Sequence, residues 1–308
     1  MFISRHRHRI SRCHPHFIQQ HLRLHHTTHK MTLANYVTDR STPAEYETHI
    51  ARQLQVNKEH LASLTHPGSA IKLPYGNGPA PQTDGPIFFF DIDNCLYKRS
   101  LQIHDLMQQY IHDYFVRRLD LSDEDAMELQ LKYYRTYGLA IQGLVKYHKI
   151  DGLEYNAKVD DALPLQEILH PDEKLRDMLI KLRGKGHCDR LWLFTNAYKN
   201  HGERCVRLLG IGDLFEGLSF CDYGKMDFVC KPQEQAFHRA LKEAGGKSFE
   251  NCYFVDDSAA NIATAVKLGF KKAVHFVERD EDLGTTPEGA ILIRDILDLP
   301  QAVPELFE

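Results

Sequence analysis

The chain has 308 residues, 43% hydrophobic and 26% charged, the composition of an ordinary globular protein with room for two domains or one domain carrying a large insertion. A formal net charge of −4 gives no basis for binding a nucleic-acid polymer, and no apolar run approaches the ~20 residues that span a bilayer. Seven cysteines, odd in number, scattered and without a C-x-x-C pair, argue against a disulfide framework and a zinc site, and fit a reducing compartment.

Residues 1–30 carry six Lys/Arg, eight His and no acid, leaving 32 Lys/Arg against 42 Asp/Glu for the rest. Residues 1–40 therefore read as a disordered basic, His-rich extension. A mitochondrial presequence is the minority reading of that segment, because it has no amphipathic stripe. Met1 and Met31 both remain candidate starts, and a cytoplasmic or nuclear location is expected.

Residues 41–86 follow as a helix and a linker. Thr42-Pro43-Ala44-Glu45 combines an N-cap, a Pro at the first helical position and a Glu three after the cap. Ile50, Leu54, Leu61 and Leu64 recur at near-helical spacing, so the spacing predicts a helix that docks on the main body or on a partner. Residues 67–86 hold five Pro and four Gly and read as a linker.

Ile87-Phe88-Phe89-Phe90 is a continuous apolar run, the mark of a buried parallel strand. Asp91 and Asp93 come directly after it, two positions apart, so both can point to one side of the chain. One carboxylate of such a pair can attack phosphorus while the other moves protons. Alone, D-x-D after a strand is as readily an acidic turn as a catalytic one.

From about 99 to 169 the pattern is helical. Leu101, Leu106, Tyr110, Tyr114 and Leu119 share one segment, and Ser122-Asp123-Glu124-Asp125 caps a second that runs to about Tyr137. Gly138 and Gly143 are expected to break the chain before two shorter helices, Leu144–His148 and Leu153–Val159. Then helices are expected at Lys174–Arg183, Lys199–Leu209, Pro232–Ala244 and Ala259–Leu268. Strands are expected at Arg190–Phe194, Leu218–Cys221, Cys252–Val255, Ala273–Val277 and Ile291–Ile293. This alternation implies an α/β fold, a doubly wound parallel sheet with a helical cap inserted after the first strand. The catalytic core would comprise 87–98 and 170–308, and the cap 99–169.

Four signals fall at strand ends or helix starts: Asp91-x-Asp93, Thr195-Asn196, Lys231-Pro232 and Asp256-Asp257-Ser258. In a doubly wound sheet those ends converge on one crevice. Four carboxylates in one crevice repel and call for a divalent cation, and oxygen ligands without His or Cys favour Mg2+. Singly, Thr195-Asn196 is most simply a turn, Lys231 a solvated lysine and Asp256-Asp257-Ser258 a helix cap. Together, in this order, they suit transfer of a phosphoryl group onto an aspartate.

The ordered set Asp91-x-Asp93, Thr195, Lys231-Pro232, Asp256-Asp257 resembles the four motifs of the haloacid dehalogenase-like (HAD) superfamily of hydrolases, over about residues 87–280. Two segments, Phe90–Tyr97 and Tyr137–Leu144, together with His148 and Leu163-Pro164-Leu165, are similar to the fungal pyrimidine 5′-nucleotidases of that superfamily. Asn94 stands where many members carry Asp or Gly. The resemblance implies Asp91 as nucleophile, Asp93 as general acid and then base, and Thr195 with the backbone near Asn196 as phosphate binders. It implies Lys231 as the cation holding Asp91 and phosphate. It also implies Mg2+ on Asp91, the Asp93 backbone carbonyl and the Asp256-Asp257 pair, with Asp257 favoured as direct ligand. The inserted module then reads as a lid, with Tyr137, Lys146, Tyr147 and His148 as candidate base or ribose contacts, although core packing or a surface position is the favoured reading of each taken singly.

The expected activity is Mg2+-dependent hydrolysis of nucleoside 5′-monophosphates, UMP or CMP first, with a small phosphomonoester as partner, no nucleic-acid polymer and no membrane. Monomer and homodimer stay open. Nicotinamide mononucleotide, lysophosphatidate, a sugar phosphate or phosphomutase chemistry are alternatives. A receiver-type phospho-accepting module also uses Asp, Thr and Lys, but it carries no acid two after the nucleophile and no inserted lid. A dehalogenase needs neither Asp93 nor metal, and a silent partner protein would lack part of the motifs.

Overall fold

A computed structural model describes residues 42–184 and 186–308; the basic extension expected at 1–40 lies outside them. Six parallel strands form one sheet in the order β3-β2-β1-β4-β5-β6. They are β1 (Ile87–Phe90), β2 (Arg190–Phe194), β3 (Gly217–Ser219), β4 (Cys252–Asp256), β5 (Lys272–Phe276) and β6 (Ile291–Ile293). The order reverses at β1, which pairs with β2 on one side and β4 on the other. That reversal is the crevice-forming switch point of doubly wound sheets.

The helices are α1 (Pro43–Ser63), α2 (Ile103–Leu119), α3 (Asp123–Tyr137), α4 (Ala140–His148), α5 (Gly152–Lys158), α6 (Glu173–Gly184), α7 (Lys199–Leu208), α8 (Glu234–Glu243), α9 (Ala259–Lys267) and the short α10 (Leu299–Ala302). Helices α2–α5 lie between β1 and β2 in the chain, in the segment expected as the cap. Alternate residues of β1 serve opposite faces of the sheet. Phe89 joins Trp192, Phe194, Phe237 and Phe254 in one core, while Phe88 stacks with Phe90 and Tyr253 on the other side. None of the four β1 side chains meets solvent, which is why the run lacks polar alternation.

Two expectations need correction. Gly143 does not break the cap; it lies inside α4, where a Cβ would stand 2.1 Å from the ring of Tyr133. The glycine serves close packing of α3 on α4. Nor is 67–86 a free linker. Lys72 and Tyr75 N–H donate to the carbonyls of Gly212 and Glu216, and Ala80 and Thr83 N–H donate to those of Glu243 and Gly245. Leu218 of edge strand β3 donates in turn to the carbonyl of Gly76 at 2.7 Å. The segment is a strap bound through backbone groups, for which Pro and Gly are no obstacle.

Helix α1 begins with the expected capping box of Thr42 and Glu45, and docks on the body. Its buried Asn57 donates to the carbonyls of Asp161 and Leu163, and Arg207 donates to those of Leu61 and Ser69. Cys95, Cys188, Cys205, Cys221, Cys230 and Cys252 are all free and buried. Among the described residues no helix is long and apolar enough to cross a membrane.

Candidate active site

The site lies at the C-terminal edge of the sheet, beside the switch point. Asp91 extends β1 by one bond, its N–H donating to the Val255 carbonyl at 3.0 Å. The chain then turns: Cys95 and Leu96 N–H both return to the Ile92 carbonyl, and Asn94 adopts φ +57°. Asparagine enters that left-handed region at low cost, which gives Asn94 a backbone role. Because the turn begins immediately, Asp93 does not share the direction of Asp91.

Lys231 is the electrostatic centre of the floor. Its ammonium is almost wholly buried and donates to Asp91 Oδ1 at 2.6 Å, Asp256 Oδ2 at 2.7 Å and the Phe194 carbonyl at 2.7 Å. Three donors meet three acceptors, so the group is saturated. Burial opposes its charge, but the two carboxylates prevail and hold its pKa above the ordinary value. Asn196 ties the same loop: its side chain accepts from Lys231 N–H at 2.8 Å and donates to the Lys231 carbonyl at 2.9 Å. The Asn196 amide is thereby committed to the loop.

Thr195 follows β2 and is buried. Its Oγ1 accepts from Ala197 N–H at 3.0 Å, leaving its own proton to donate. Asp256 is saturated by Lys231, by Ser258 N–H at 2.8 Å and by the Asn261 amide at 2.9 and 3.0 Å. The expected capping of α9 is therefore done by Asp256, not by the Ser258 hydroxyl. Among the described residues Asp257 has no such partners on its carboxylate. Burial, then the neighbouring Asp256, push its pKa up to about 7. Burial likewise raises Asp91 well above the usual carboxylate range, against the pull of Lys231.

Asp91, Asp256 and Asp257 each offer an oxygen within 4.8 Å of the others. Three acids so close, two of them pushed towards protonation, make a site that a hard divalent cation would relieve. The donor set fits Mg2+. Asp257 is the better direct ligand, because both Asp256 oxygens already hold hydrogen bonds.

The expected fourth carboxylate stands apart. Asp93 Oδ1 accepts from Tyr97 Oη at 2.5 Å and from His201 Nε2 at 2.6 Å. Burial alone would raise the Asp93 carboxyl, but His201 and Tyr97 outweigh it and hold the group below its ordinary value. His201 is raised well above the usual imidazole range by Asp93, despite complete burial. His201 was not singled out from the sequence. It lies in α7, and only the packing of α7 under the β1 turn brings it to Asp93. Tyr97 was legible as part of the first motif but not as a partner of Asp93.

A cavity of about 330 Å³ runs from Asp93 into the cap. The core contributes Asn196, Ala197 and Tyr223 to its wall, and the cap contributes Met107, Ile111, Leu131, Tyr134, Ile141 and Tyr155 among others. Tyr137, Lys146, Tyr147 and His148 do not line it. Tyr137 and Tyr147 hydroxyls bond each other at 2.6 Å, Lys146 lies 5.4 and 5.6 Å from their ring centres, and His148 bonds Tyr133 at 2.7 Å. These four close an aromatic cluster between α3 and α4, with Tyr147 largely exposed. The four residues expected as cap contacts thus lie outside the cavity, whose wall takes other residues of the α2–α5 segment.

The structure stands beside known proteins as follows. The family model described as haloacid dehalogenase-like hydrolase matches residues 86–269. Phosphate metabolism protein 8 of Saccharomyces cerevisiae is 41% identical over 271 residues, covering 83% of this chain and 84% of that protein. Among solved structures, a HAD phosphatase from Thermococcus onnurineus aligns at TM-score 0.48 and 19% identity, over 71% of this chain and 97% of that one. CbbY from Rhodobacter sphaeroides, in complex with xylulose-(1,5)-bisphosphate, aligns at TM-score 0.48 and 18% identity, over 70% and 96%. With the family model spanning more than half its length, this chain belongs to the haloacid dehalogenase-like hydrolases.

Proposed function

We propose that the chain is a Mg2+-dependent phosphomonoesterase that hydrolyses nucleoside 5′-monophosphates, UMP and CMP first, through an aspartyl-phosphate at Asp91. The observation that carries this reading is the continuity between the Asp93 carboxylate and a cavity of nucleotide size walled by cap residues. The Lys231 ammonium holds Asp91 Oδ1, leaving Oδ2 as the oxygen to attack phosphorus. Thr195 Oγ1 and the backbone N–H groups after β2 would hold phosphate oxygens. Asp93 relays a proton from the protonated His201 to the leaving 5′-oxygen, then takes one from the attacking water and returns it to His201. Asp91, Asp257, Asp256 and the Asp93 backbone carbonyl are the groups that would hold Mg2+, which when bound offsets negative charge on the transferring group.

Aromatic and aliphatic walls (Tyr134, Tyr155, Tyr223, Met107, Ile111) suit a flat base better than an acyl chain or a bare sugar. The test is phosphate release from a panel of UMP, CMP, AMP, GMP, nicotinamide mononucleotide, lysophosphatidate and sugar phosphates, with and without Mg2+. The reading predicts turnover that requires Mg2+ and is highest with UMP or CMP. A preference for a phosphate ester without a base, or metal-independent turnover, contradicts it.

A further inference from the structure

The catalytic roles leave one acid of the cavity unused. Asp160 follows α5 at the end of the cap, is 3% exposed, and lines the same cavity as Asp93. Its carboxylate makes no hydrogen bond among the described residues; Oδ2 is closed off without a partner, and Oδ1 is the oxygen left to face the cavity. The cations that act on this carboxylate make no bond to it: His201 Nε2 bonds Asp93. Arg204 donates to the backbone carbonyls of Asp160, Asp161 and Leu163 instead. Neighbouring Asp161, by contrast, has its Oδ2 bonded to Asn156 and Asn200.

A buried carboxyl with no partner calls for one. As an acceptor it repels phosphate, so its ligand is the other half of the ester. An ionised carboxylate takes O–H and N–H donors, and two adjacent hydroxyls can satisfy it together. Burial, which pushes its pKa up to about 7, is the cost that such donors offset. Tyr155 and Tyr223, 6.4 Å apart between ring centres, flank the same wall and confine whatever lies there.

We infer that Asp160 accepts hydrogen bonds from the ribose hydroxyls of the substrate, making the cavity selective for ribose over deoxyribose esters. The inference rests on the nucleotidase reading and deepens it, since it names the half of the nucleoside that one residue reads. A site built to bond a hydroxyl rejects the analogue lacking it, because its own buried group is then left unpaired.

The test is kcat/KM, with Mg2+ present, for UMP against 2′,3′-dideoxyuridine 5′-monophosphate, in the wild-type chain and in Asp160→Ala and Asp160→Asn. The wild type is expected to favour UMP by about 10–100-fold, the scale of one or two charge-assisted hydrogen bonds. Asp160→Ala is expected to bring the ratio near one, and Asp160→Asn to fall between. A wild-type ratio near one overturns the inference by itself, even if the alanine variant does not fold. An unchanged ratio in a folded Asp160→Ala overturns it as well. If the wild type releases phosphate from no nucleoside monophosphate, the nucleotidase reading fails first and the inference falls with it.

Discussion

Lys231 Nζ lies 2.6 Å from Asp91 Oδ1 and 2.7 Å from Asp256 Oδ2, a buried cation clamped between the proposed nucleophile and the acid that supports Asp257. Rings of Phe194 and Phe254 flank the ammonium at 5.0 and 5.5 Å, so water cannot replace it. Removing one partner of a buried ion pair leaves an uncompensated charge, at about 3–5 kcal/mol. Lys231→Ala is therefore expected to lower the melting temperature sharply and to abolish turnover. A variant that melts like the wild type would show that the clamp contributes little to the fold.

His201 touches Asp93 but does not line the cavity, so under the proposed mechanism its effect should fall on proton transfer and not on substrate binding. His201→Asn is expected to lower kcat by about 10²-fold, the lower end of acid–base catalysis, with KM nearly unchanged. A rise in KM at constant kcat would place His201 in binding instead.

The acid cluster couples stability to pH and to metal. Asp257 is raised to about 7 by burial and by Asp256, and Asp91 is raised too, while unfolded carboxyls titrate near 4. Between those values the metal-free folded chain holds more protons than the unfolded chain, so its stability falls as pH rises through that window. Asp160, also raised to about 7, adds to the same slope. A cation held by the deprotonated cluster would offset that loss. Thermal melts are expected to show a larger Mg2+-induced shift near pH 7.5 than near pH 5.5, by mass action on the ionised site. Equal shifts would mean that Mg2+ does not use these carboxyls.

The strap before β1 predicts that the N-terminal segment is not dispensable. A chain beginning at Asp84 loses α1, the acceptors of Arg207 and the cover of edge strand β3. An uncovered edge invites pairing between molecules. The truncated chain is expected to melt at least ~5 °C lower and to aggregate on concentration. A truncated chain of wild-type stability would make the strap an ornament of packing.

The sheet and most motif residues were legible because they sit at the ends of short apolar runs, where strand geometry sets direction. Asp91, Thr195 and Asp257 follow that rule at β1, β2 and β4; Lys231 follows no strand and was legible from the Lys-Pro pair before α8. What was not legible depends on packing between distant segments. His201 reaches Asp93 across 108 positions in sequence. Asp160 is significant only because Arg204 turns to backbone carbonyls. Gly143 looks like a helix break until Tyr133 fills the space above it. The Pro/Gly segment 67–86 reads as a linker because backbone bonds leave no trace in side-chain pattern. Tyr137, Lys146, Tyr147 and His148 were read as lid contacts, yet α3 and α4 turn other faces to the cavity.

The central claim is that Asp91 takes the phosphoryl group. Turnover of UMP by Asp91→Asn, with Mg2+ present and the fold checked by thermal melting, tests it most directly. The substitution removes one charge from a crowded acid cluster, so the fold is expected to survive while phosphate release disappears. Release at the wild-type rate from a folded Asp91→Asn chain would contradict the account.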